Sequence, residues 1–143
     1  MEPDPAGPIV IRPCARDDRE SILQLIQPYV EQKKILQRTL DELEELLPTA
    51  FVAEAAGRVI GFVALEIYSR KLAEIRSLVV AAKHQGRGIG KRLVAACVER
   101  ARANNVFEVM AITSEECFFL SCGFDYTLPG EKRAFFLQTR DQH

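Results

Sequence analysis

The chain of 143 residues predicts an α/β domain with a mixed central sheet and helices on both faces. Three observations carry that expectation. Segments of strand period and helix period alternate along the chain in the order β, α, α, β, β, β, α, β, α, β(β), which is the pattern of a layered α/β domain. A buried apolar run, Leu78-Val79-Val80, leads through the glycine-rich turn Gln85-Gly86-Arg87-Gly88-Ile89-Gly90 into an amphipathic segment. An apolar content of 48% with 27% charged residues is ordinary for a globular protein of one core.

Each element has a local cause. Residues 1–8 are rich in proline and are expected to form a flexible N-terminal segment, leaving 9–143 as one domain. Ile9-Val10-Ile11 reads as a short strand ended by Arg12-Pro13. Asp17-Asp18 is placed to cap a helix over Arg19 to Gln32, with Ile22, Leu23, Leu25 and Ile26 turned inward. Thr39 and Glu42 form a capping box for a second helix that Pro48 closes. Phe51 to Ala55 and Val59 to Ile67 make a hairpin around Ala56-Gly57-Arg58. A strand from Leu72 to Val80 follows. After the glycine turn, Ile89, Leu93, Ala96 and Cys97 recur at helical spacing until Asn104-Asn105. Val106 to Ile112 reads as a strand, and Glu115 to Cys122 as a short helix closed by Gly123.

The charge balance excludes some classes. Nineteen basic against twenty acidic residues give a net charge of −1, so nothing in bulk draws the chain to nucleic acid or to a membrane surface. Yet from Ile75 to Val98 there are five basic side chains (Arg76, Lys83, Arg87, Lys91, Arg92) and no acidic one. Cys14, Cys97, Cys117 and Cys122 form no C-x-x-C pair, and His84 and His143 are the only histidines. Reduced structural thiols, no metal site and a cytoplasmic location are the expectations. The first residues lack the basic-then-apolar pattern of a secretory signal, and no apolar run reaches membrane-spanning length.

The glycine turn is the informative feature. A loop before a helix N-terminus offers unpaired N–H groups and the positive end of the helix dipole to an anion. A nucleotide P-loop needs G-x-x-x-x-G-K-[ST], but Gln85 stands at its first glycine and Arg92 at its hydroxyl. A dinucleotide loop needs G-x-G-x-x-G/A, but Lys91 stands at the third site. Q/R-x-x-G-x-G/A fits throughout, with Gln85, Gly88 and Gly90. That is the acyl-CoA signature of the GNAT superfamily of N-acetyltransferases, which the chain resembles here and in the succession of elements over about residues 72–127.

The resemblance implies the GNAT fold, acetyl-CoA as co-substrate and no metal. The main-chain N–H groups of Arg87, Gly88, Ile89, Gly90 and Lys91 would grip the pyrophosphate, within a loop that includes Gly86. The side chain of Gln85 or Lys91 would assist. The pantetheine arm would lie along Leu78, Val79 and Val80, and a peptide N–H near Leu78 or Val79 would polarise the acetyl carbonyl. Glu74 would be the general base, since strand alternation puts it on the face of Leu78 unless a bulge intervenes. Family members carry a tyrosine as proton donor where this chain has Phe119. Thr113, Ser114, Tyr126 or water would then assist the leaving thiolate, Ser114 being the side chain chosen, and Phe119 would wall the cofactor arm. Nothing activates Cys117 or Cys122, so direct attack by the amine is expected.

A closer resemblance is to the acetyltransferase domain of N-acetylglutamate synthase. It rests on Ile35-Leu36-Gln37-Arg38-Thr39, on Glu74-Ile75-Arg76-Ser77-Leu78-Val79-Val80, and on the tyrosine-free helix from Thr113 to Phe124. It implies a small amino-acid acceptor, glutamate among them, and a place in arginine biosynthesis. Leu36, Arg38, Ser77 and Arg133 would bind that acceptor, with Lys132 beside the last and a bidentate arginine on its carboxylate. The alternatives are another small amine, a protein amine, or a catalytically silent acyl-CoA-binding module. The acidic run Asp41 to Glu45 reads as a solvated helix face. An exposed edge strand near the C-terminus leaves a homodimer open.

Overall fold

Five strands lie side by side in chain order. They are β1 (Ile9–Pro13), β2 (Ala50–Ala55), β3 (Arg58–Ile67), β4 (Leu72–Val80) and β5 (Glu108–Met110). The first four pair antiparallel, and β5 joins β4 in parallel after a helical crossover. This computed structural model describes residues 7–35, 37–126 and 133–139. The chain divides into two compact units, residues 1–112 and 113–143.

In the first unit, helices α1 (Arg19–Glu31) and α2 (Leu40–Leu46) cover one face of the sheet and α3 (Ile89–Ala103) the other. Ile22, Ile26, Leu43 and Leu46 pack with Ala50, Val52, Phe62, Ala64 and Val79 in one buried cluster. On the other face Gly61 admits α3 closely. A Cβ there would stand 3.0 Å from the Leu93 side chain and 3.2 Å from Ala53, so the helix sits where any larger residue would push it out.

The local signals act as the sequence predicts at α2 and α3. Thr39 accepts from the Glu42 N–H at 3.1 Å while the Glu42 carboxylate takes the Thr39 N–H at 3.4 Å. The α3 helix ends at Asn104, and Asn105 takes a positive φ of 58°. The N–H of Val106 then donates to Ala101 O at 2.9 Å, the bond that ends a helix in a left-handed turn. Val106 therefore belongs to the helix end, and β5 runs only over Glu108–Met110 instead of the expected 106–112.

Asp18 departs from its expected role. It stands just before α1 but caps no helical N–H. Its carboxylate instead faces Arg12 of β1 in a two-pronged pair of 2.8 and 2.9 Å and takes the Ala15 N–H at 2.7 Å. The Arg12 guanidinium also reaches Glu54 at 3.3 Å. A fork-on-fork guanidinium pair with a further backbone donor is worth more to a buried carboxylate than one capping bond. Arg12 holds Asp18 below the usual carboxylate range, although burial opposes this.

In the second unit, α4 (Glu116–Ser121) is closed by Gly123, and the Phe124 N–H donates to Phe119 O at 3.0 Å. Phe119 meets Phe118 and Phe124 edge-on, with centroids 5.1 and 5.3 Å away. The strand expected near the C-terminus is not formed over residues 133–139. A strand exists only through its ladder of partner hydrogen bonds, and Phe135, Phe136 and Leu137 stand exposed without one. Among the described residues, no helix is long and apolar enough to cross a membrane.

Replacing Asp18 by Asn should lower stability at neutral pH by about 2 kcal/mol, the scale of a lost charged hydrogen-bond pair. The folded-state pKa lies below the unfolded value of ~3.9, so the ion pair stabilises fully above about pH 5 and fades as pH falls through the folded pKa. Urea unfolding of both proteins across pH should show the gap between them closing below about pH 4.

Candidate active site

β4 is interrupted. Phe62 pairs with Val79 and Ala64 with Arg76, so Val63 alone on β3 faces both Ser77 and Leu78. Ser77 has φ of 58°, a left-handed conformation that costs a non-glycine residue roughly 1 kcal/mol. This bulge answers the condition attached to Glu74. Glu74 does not share the face of Leu78. Glu74, Arg76 and Val79 instead lie with Phe62, Ala64 and Glu66 on the face that α1 and α2 cover.

The same strand loses its parallel neighbour. The ladder to β5 ends at the pair Glu74 and Met110, leaving the edge from Ile75 to Val80 without a β5 partner. The Ala81 N–H donates to Ile60 O of β3 at 2.8 Å. By alternation, Val80 and Leu78 turn their peptide groups toward the open edge.

The glycine loop starts where this edge stops. Gly86 and Gly88 both have φ of +80°, with nothing within 4 Å of the place a Cβ would occupy. Backbone conformation, rather than room, requires glycine at both. Gly88 precedes α3, whose first turn carries no acidic residue and no side-chain cap. The first N–H groups of that helix are thus left for an anion, with Ile89 itself buried. Lys83, Arg87 and Lys91 are exposed around the turn, and Arg87 reaches His84 Nδ1 at 3.2 Å. The side chain of Gln85 is engaged otherwise than expected. Its Nε2 donates to Val80 O at 3.0 Å and to the Tyr29 hydroxyl at 2.9 Å. It ties the start of the loop to α1 and to the end of β4.

Beside the open edge, a cleft of about 470 Å³ is lined by Arg38, Glu42, Glu45, Leu46, Glu66 and Arg76, among others. Glu66 and Glu74 are directly opposed on β3 and β4, a like-charge pairing that costs stability unless answered. Arg76 donates to Glu66 at 2.9 Å and the Tyr68 hydroxyl to Glu74 at 2.6 Å. Burial acts most strongly on Arg76 and against its charge, but the Glu66 bond together with the charges of Glu66 and Glu74 and the neighbouring Tyr68 raises its pKa. The bond to Glu74 raises the pKa of Tyr68 and keeps it a donor. Arg38 donates through Nε to Ser77 Oγ at 3.0 Å. Burial, and then the neighbouring Arg76, lower its pKa. Among the described residues no carboxylate pairs with it.

The remaining expected residues are distributed as follows. Leu36 and Lys132 lie outside the described residues. Ser114, Phe119 and Arg133 belong to the second unit, where Ser114 and Arg133 are exposed and Phe119 is half-buried. Tyr126 donates to Glu116 at 3.1 Å, and Thr113 Oγ1 accepts the Glu115 N–H at 2.9 Å. Burial raises the pKa of both Cys14 and Cys97 to about 12, which suits packing rather than nucleophilic chemistry. Among the described residues no cluster of His, Cys, Asp or Glu is arranged for a metal ion.

Sequence reading missed Tyr29 and Tyr68. Tyr29 continues the inward stripe Ile22, Ile26 at i+7, so its ring reads as core and its hydroxyl passes unnoticed. Tyr68 follows Glu66 by two residues, the spacing that puts it diagonally across from Glu74.

A sheet opened beside a glycine loop and an uncapped helix start is the framework of an acyl-CoA-dependent acyltransferase. Residues 17–124 match the Acetyltransferase (GNAT) family. An uncharacterized N-acetyltransferase of Chlorobaculum tepidum is 32% identical over 120 residues, covering 84% of this chain and 77% of that protein. An amino-acid acetyltransferase of Mycobacterium tuberculosis is 33% identical, covering 80% of this chain and 67% of that one. The amino-acid acetyltransferase of Ralstonia nicotianae is 31% identical, and there the match spans 29% of the relative. Among solved structures, a Mycobacterium tuberculosis protein in complex with CoA superposes with a TM-score of 0.75 at 31% identity, over 82% of this chain and 74% of that one. N-acetylglutamate synthase from Neisseria gonorrhoeae, complexed with coenzyme A and N-acetyl-glutamate, gives 0.73 at 27% identity over 80% of this chain and 27% of that one. The chain belongs to the GNAT family of acetyl-CoA-dependent N-acetyltransferases.

Proposed function

We propose that the chain transfers an acetyl group from acetyl-CoA to the α-amine of a small amino acid by direct attack, with Glu74 as general base. The observation that carries the reading is Arg38. It is a cation brought out of water beside the β4 bulge, lining a cleft, with no carboxylate partner among the described residues. An α-carboxylate supplies the missing partner. Ser77, bonded to Arg38, orients it.

Acetyl-CoA supplies the activated acyl group. Amide N–H groups at the start of α3 hold its diphosphate, and the open edge of Leu78 to Val80 runs beside its arm. The Leu78 N–H, turned to that edge, donates to the acyl oxygen as charge gathers there. Such a donor is worth a few kcal/mol in acyl transfer. An α-ammonium has a pKa of ~8 and is mostly unreactive at neutral pH. Glu74, one rung from Arg76 on the same face, takes its proton directly or through water. Tyr68 fixes the carboxylate in place. Glutamate is the first acceptor to examine, because the Neisseria gonorrhoeae relative was solved with N-acetyl-glutamate.

The test is release of free thiol from acetyl-CoA against a panel of amino acids and other amines. Turnover with amino acids supports the proposal. Turnover confined to other amines, or CoA binding without turnover on any, would replace it. Glu74→Gln should lower kcat/KM about a hundredfold or more at pH 7, with the loss shrinking above pH 8–9 as the amine deprotonates unaided; an unchanged pH profile would point to another base. Arg38→Ala should raise the KM for the amino acid roughly 10- to 100-fold, the scale of a charged hydrogen-bond pair, while leaving that for acetyl-CoA unchanged.

A further inference from the structure

Tyr29 lies near the end of α1 and takes no part in the chemistry described above. Its hydroxyl donates to the carbonyl of Val80, the last residue of β4, at 2.6 Å. The Gln85 amide donates to that carbonyl at 3.0 Å and to the Tyr29 oxygen at 2.9 Å. The proton count closes. The phenol donates its one hydrogen to the carbonyl, and the amide has hydrogens enough for both oxygens that lie within its reach. Three separate pieces of the fold, helix α1, the end of β4 and the first residue of the glycine loop, thus meet in one triangle.

Two consequences follow for an anion bound at the loop. The Val80 carbonyl is a partial negative charge at the mouth of the site, and two donors on its lone pairs draw that charge away from an incoming phosphate. Gln85 is also the residue from which Gly86 and Gly88 swing into positive φ. Anchoring its side chain fixes where the free N–H groups of the loop begin, so less loop freedom is lost on binding. The end of α1 is itself held. The Lys34 N–H donates to Tyr29 O at 2.9 Å and the Lys33 N–H to Val30 O at 2.9 Å, a closure that leaves the tyrosine little room to drift.

We propose that Tyr29 is a positioning residue for the diphosphate of acetyl-CoA, acting with Gln85 to clamp the Val80 carbonyl and preset the glycine loop. It rests on the assignment of that loop to CoA, and is independent of which amine is acetylated. The test is calorimetric binding of CoA to the full chain as wild type, Tyr29→Phe, Gln85→Met and the double variant, each with a thermal melt. Tyr29→Phe keeps the ring in the core, and Gln85→Met keeps the length of an exposed side chain. Each single variant is expected to weaken CoA binding about five- to tenfold, and the double variant to be no worse than about the larger single loss, because the two groups act as one clamp. Melting temperatures should stay within a few degrees of wild type. Wild-type affinity in Tyr29→Phe would overturn the proposal. So would losses that multiply in the double variant, or losses that track the melting temperature. A wild-type protein that does not bind CoA would instead bring down the loop assignment itself, and this proposal with it.

Discussion

β4 has to satisfy two demands that one regular strand cannot meet. It must lie in a sheet, with buried residues on both faces, and it must present main-chain groups to something other than a neighbouring strand. The bulge at Ser77 and Leu78 reconciles the two. An extra residue, placed in a left-handed conformation, exchanges the faces of everything beyond it, so Val79 enters the α1 and α2 core while Arg76 lines the cleft and Glu74 shares its face. Loss of β5 beyond Met110 frees the edge. Had β4 continued regularly, Val79 and Glu74 would point to opposite faces, and either the core or the cleft would lose its residue.

The electrostatics follow from that rearrangement. The chain is close to neutral, yet the face holding Glu66, Glu74, Arg76 and Arg38 packs four charges into a small volume. Two are tied together, Arg76 with Glu66. Glu74 is answered by a neutral donor, Tyr68. Arg38 is answered by a neutral acceptor, Ser77. Among the described residues, one anion and one cation are therefore hydrogen-bonded to neutral side chains.

What the sequence discloses and what it withholds divide along range. The Thr39 and Glu42 capping box, the end of α3 at Asn104 and the closure of α4 at Gly123 each depend on residues within one helical turn, and each is legible. The glycine loop is legible for the same reason, since Gly86 and Gly88 need their φ whatever surrounds them. The β4 bulge is not, because serine carries no signature of a positive φ and the burial that imposes it comes from β3 and α2. Asp18 misleads because it has the residue type of a cap while its better partner, Arg12, lies on another element. Tyr29 and Gln85 are 56 residues apart, and only the folded sheet brings them onto one carbonyl.

The two halves of the proposed site are made of different material. The donor side consists of peptide groups, namely the loop N–H groups, the start of α3 and the open edge of β4, with glycines that could hardly be anything else. The acceptor side consists of side chains on α2, the segment before it and the two central strands. Peptide groups survive substitution and side chains do not. A framework of peptide groups can therefore persist through sequences only about a third identical, as the relatives here are. For this chain the donor is consequently fixed by its architecture. In the proposed function the acceptor depends on a handful of charges, among them Arg38, which pairs with no carboxylate among the described residues.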